Sequence, residues 1–78
     1  MNLQQAFNQV LAWAHRSDVP VLDYHCTPAQ CSATFTNPEH AHTALQMMRW
    51  AAEVDYQVLA VRREQAHWEV FAQQWSEE

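Results

Sequence analysis

Apolar residues recur at steps of three and four in two stretches of the chain and alternate with polar residues in four others. Leu3, Ala6, Phe7, Val10, Leu11 and Ala14 make one stripe of an amphipathic helix, with Asn2 placed to cap it. A second stripe runs through Ala41, Ala44, Leu45, Met48, Ala51 and Ala52. It opens on a clear start signal: Asn37 as cap, Pro38 at the first helical position and Glu39 at the positive end of the dipole. Both helices are expected to exit near an aspartate, Asp18 and Asp55. The chain has no glycine, and Asp tolerates the left-handed exit conformation.

The alternating stretches read as strands. Over residues 20 to 26, Leu22, Tyr24 and Cys26 share one face, and Val21, Asp23 and His25 share the other. Thr27-Pro28-Ala29-Gln30 makes a turn, with Pro28 pre-set for its second position. The next strand puts Cys31, Ala33 and Phe35 on the same face as Leu22, with Ser32, Thr34 and Thr36 opposite. Further on, Leu59 and Val61 face inward, Arg63 to Ala66 turn the chain, and Trp68, Val70 and Ala72 complete the inner face. The predicted core is Leu22, Phe35, Leu45, Met48, Leu59 and Val70 beneath Phe7 and Leu11.

The order α-β-β-α-β-β carries an internal repeat. A shift of 37 residues lays Gln9 on Gln46, Trp13 on Trp50, Ala14 on Ala51, Asp18 on Asp55, Val21-Leu22 on Val58-Leu59 and Ala29 on Ala66. The halves are 1–37 and 38–74, with 75–78 as a tail of a single domain spanning 1–78. The crossover from the second to the third strand should be right-handed. With the fourth strand between them, the sheet is antiparallel in the order 1-2-4-3, and both helices lie on one face. That arrangement is a two-layer α+β sandwich, a circular permutation of the split βαβ, ferredoxin-like topology.

Composition narrows the chemistry. Without glycine there is no Gly-rich phosphate loop. Four arginines and no lysine face nine acids, for a net charge of -5, which opposes non-specific nucleic-acid binding. No apolar run is long enough to span a membrane, and the first residues lack a signal peptide's basic region, so a cytoplasmic location is expected. In that setting Cys26 and Cys31, which close the first hairpin, are expected to be reduced, buried thiols; a cross-strand disulfide is the alternative. The matching pair in the second half, Arg63 and Trp68, suits a cation–π contact. Cys26, Cys31, His40 and His42 have the elements of a weak metal site. However, His40 and His42 diverge on a helix, and His25 falls on the face opposite Cys26. No cofactor and no catalytic residue is expected, because no base stands within reach of a nucleophile.

Function is therefore expected on the surface, as a small acidic protein-binding module. It would be an adaptor or inhibitor, of the kind phages and mobile elements direct at host machinery, docking on a basic nucleic-acid-binding protein or on a second copy of itself. The interface candidates are Trp13, Trp50, Arg49 and Glu53 on the helices and Val58, Phe71 and Trp75 on the sheet. The alternatives are a metal or redox module on Cys26 and Cys31 and, less favoured, an RNA-binding sheet. The last needs stacking aromatics with flanking cations, and only Phe71 qualifies.

Overall fold

The computed structural model describes residues 2–51 and 54–75. Among these, the elements run α1 (Leu3–Arg16), β1 (Val21–Cys26), β2 (Gln30–Phe35), α2 (Pro38–Arg49), β3 (Tyr56–Glu64) and β4 (His67–Gln74). The sheet is antiparallel in the order β1-β2-β4-β3, as the pattern predicts.

Both helix starts form as read. Asn2 accepts from the Gln5 N–H while the Gln5 side chain accepts from the Asn2 N–H, a reciprocal capping box. Asn37 accepts from the Glu39 N–H at 2.8 Å, with Pro38 leading the helix. Asp18 takes the left-handed exit with φ 52°. α2 ends differently. It stops at Arg49, and Asp55 lies just before β3 without positive φ, so Ala51 falls beyond the helix. Ala52 lies outside the described residues.

The core lies between one face of the sheet and the two helices. Leu3, Phe7 and Val10 of α1 and Ala41, Ala44 and Met48 of α2 pack with Cys31, Ala33, Phe35, Val70 and Ala72. The alanines of α2 let its backbone approach the sheet closely. Leu11, Leu45, Leu59, Val61 and Trp68 are half-buried at the margin of this cluster. Gln65 turns the β3–β4 hairpin with φ 55°, at the first central position of a two-residue loop.

β1 departs from the predicted alternation. Val21 pairs with Phe35 and Asp23 with Thr34, so Leu22 is the extra residue of a bulge. Val21 therefore turns to the core side, and Leu22 leaves the core, 50% exposed. After the bulge, Tyr24 and Cys26 recover the inner face opposite Ala33 and Cys31. Yet Tyr24 is 61% exposed, because β1 is an edge strand that the helices do not fully cover.

Candidate protein-interaction surfaces

The clearest exposed aromatic site lies at the end of α2. Trp50 is the helix C-cap, its N–H bonded to the Gln46 carbonyl at 3.0 Å, and its side chain is 77% exposed beside the exposed Arg49. The Tyr56 hydroxyl donates to the Met48 carbonyl at 2.7 Å, which ties the start of β3 to this helix end. Burial pushes the Tyr56 phenol above its ordinary pKa, since the anion would lose hydration there. Trp75, 54% exposed, donates its N–H to the Asp55 carbonyl at 3.4 Å. Trp50 thus follows directly on α2, and Trp75 is bonded to Asp55, the residue just before β3. Glu53, the remaining candidate of this helix, lies outside the described residues.

Trp13 is not part of that surface. It is half-buried against the core and meets His40 edge-on at 6.3 Å, in the seam between the helices. Trp13 sits within α1 and Trp50 just past α2, so two positions aligned in the sequence have different surroundings. His40 Nδ1 is buried without a partner there.

The uncovered face of the sheet is ordered in rows across the strands. His25, Ser32, Phe71 and Ala60 form one; Asp23, Thr34, Glu69 and Arg62 form the next. Arg62 pairs with Glu69 and lays its guanidinium 5.1 Å from the centre of the Phe71 ring. Phe71 is consequently half-covered, whereas Val58 is exposed. With Val21 on the other side, this face is less apolar than the sequence suggests. Its one stacking aromatic is already occupied by an internal cation.

Cys26 and Cys31 are joined as a disulfide rather than reduced. They are directly opposed in the β1–β2 register with Cα atoms 4.1 Å apart, which brings the sulfurs together. Arg63 lies 5.6 Å from the Trp68 ring, the expected counterpart in the second hairpin. Among the described residues no three His, Cys, Asp or Glu side chains come together as a metal site. His42 is exposed on α2, and His40 is engaged with Trp13.

Pattern reading missed a groove of about 330 Å³ between α1 and β1, lined by Leu11, Ala14, His15, Val19, Val21 and Tyr24. Nothing in the local sequence marks it. The bulge at Leu22 turns Val21 toward it, and the exposed Tyr24 of the edge strand forms its outer wall. No described helix is long and apolar enough to cross a membrane. Compared with known proteins, the chain matches no family model, no curated protein and no solved structure.

Proposed function

We propose that the chain is a small acidic, non-enzymatic protein-binding module, an adaptor or inhibitor that docks on another protein through the Trp50–Trp75 end. The observation that carries this reading is Trp50, 77% exposed at a helix end that hydrogen bonds hold in place. A large aromatic beside an arginine on a rigid element is typical anchor chemistry, with little ordering cost on binding. The net charge of -5 suits a basic partner, including a nucleic-acid-binding protein blocked in a host cytoplasm by a phage-type inhibitor. The strand order supports reading the fold as a circularly permuted ferredoxin-like sandwich of two αββ repeats on one domain, a scaffold that hosts many functions.

Trp50→Ala tests the reading. Partner recovered from the native host should fall sharply while the melting temperature holds. Equal recovery from both proteins removes Trp50 as an anchor.

One observation favours a second reading. The Cys26–Cys31 disulfide suits a redox module in an oxidising setting. Loss of partner binding on mild reduction, with no change in Cys26→Ser/Cys31→Ser protein under the same conditions, would select it.

A further inference from the structure

We propose that β1 is a self-pairing edge, at which two copies of this chain join antiparallel about Tyr24 to make one continuous sheet. The surface is separate from the Trp50 end, and the inference does not rest on that reading. β1 is an outer strand with no proline among Val21–Cys26, and Leu22 and Tyr24 on it are large apolar residues left exposed. Unpaired edges of this kind template pairing with another chain.

The register of β1 against β2 fixes which backbone groups are free. The Thr27 N–H bonds to the Gln30 carbonyl at 2.8 Å, and the next opposed pair, Cys26 and Cys31, is a close one with Cα atoms 4.1 Å apart. Close pairs in an antiparallel ladder are the non-hydrogen-bonded ones, so by alternation His25 and Asp23 spend their N–H and C=O on β2. Tyr24 and Cys26 direct theirs outward. A twofold axis through the sheet then allows pairings centred on Asp23, Tyr24 or His25.

Charge selects among the three. Centring on Asp23 sets it against the other copy's Asp23, and centring on His25 opposes two histidines. Centring on Tyr24 exchanges N–H···O bonds between the two Tyr24 residues. It also places Asp23 opposite the other copy's His25 twice, at close pairs where side chains approach most nearly. Within the chain, Asp23 and His25 stand opposite only Thr34 and Ser32, and among the described residues neither side chain has a hydrogen bond or ion pair. Their carboxylate and imidazole are thus available to a second copy. Tyr24 also lines the α1–β1 groove with Leu11, Val19 and Val21, so the same pairing brings two apolar grooves together across the axis. The bulge at Leu22 bends only the far end of the strand and leaves Asp23–Cys26 regular.

Sedimentation equilibrium on the full chain tests this. The wild type should form a dimer, and His25→Asp, which sets Asp against Asp at both symmetric sites, should weaken it about tenfold. The double exchange Asp23→His with His25→Asp should restore it. Tyr24→Pro removes the outward N–H together with the phenol ring at the groove, and should give a monomer whose far-ultraviolet circular dichroism spectrum is unchanged. A wild type that stays monomeric up to its solubility limit overturns the proposal. So does a dimer that neither His25→Asp nor Tyr24→Pro weakens, or one that the double exchange fails to restore.

Discussion

Gln65 and Asp18 are the described residues that carry positive φ in a chain with no glycine. An L-residue with a β-carbon pays for that conformation, which glycine adopts freely. Gln65→Gly should therefore raise stability by about 0.5–1 kcal/mol, the relief of strain being partly offset by a more flexible unfolded chain. Urea denaturation checks it, and a loss of stability would mean that Gln65 makes contacts beyond its backbone role. Tyr56 carries a pH signature. Its folded pKa is raised, so the stability linked to it is present below pH 10.0, the ordinary phenol value, and is lost as pH rises through the higher folded value. Tyr56→Phe should cost about 1 kcal/mol at neutral pH, from the lost bond to Met48. It should also flatten the alkaline limb of a stability–pH curve, whereas an unchanged limb would assign that loss to other groups.

At the level of elements, legibility tracked how much of each signal was local. Caps and helix stripes are written within a few residues: Asn2 with Gln5, and Asn37 with Pro38 and Glu39, form as their spacing dictates. β2 and β4 alternate cleanly because central strands have one face packed and one open. In β1 the faces of Asp23 to Cys26 form as read and only Val21 and Leu22 change places, because a single inserted residue reverses every face on one side of it and the bulge at Leu22 has no marker such as glycine. The end of α2 failed because Ala51 and Ala52 continue the apolar stripe, while the helix stops where Tyr56 bonds back to Met48, a contact eight residues away. A matched pair of substitutions tests the strand assignments. Phe35→Ala, from a fully buried site, should cost about 3–5 kcal/mol, a large share of the stability of a domain this size. Leu22→Ala, at the exposed bulge, should change thermal stability by less than about 1 kcal/mol. Comparable losses at both positions would place Leu22 back in the core.

For the whole molecule, the strand order was legible because handedness and short connections leave few ways to arrange six elements. The surfaces were legible only in part. Trp50 and Trp75 stand exposed, but Trp13 is held in the helix seam and Phe71 is shielded by Arg62. Those outcomes depend on packing between elements that a single stripe does not encode. Direct binding to RNA or DNA should be negligible in about 150 mM salt. Of the four arginines, Arg62 is paired with Glu69 and Arg63 lies over Trp68, so the sheet offers no free basic face. Micromolar affinity for either in a filter or anisotropy assay would reverse the functional reading. Site-specific photo-crosslinking in the native host reads out whether a protein partner seats beside Trp50 and Trp75. A benzophenone amino acid is placed at Gln46, one helical turn before Trp50, at the exposed Asp55 and, as a control, at the exposed Asn8 of α1, with both tryptophans left in place. The same discrete adduct is expected from positions 46 and 55 and none from position 8. No adduct at either 46 or 55, or equal labelling at all three positions, would contradict a partner seated at this end.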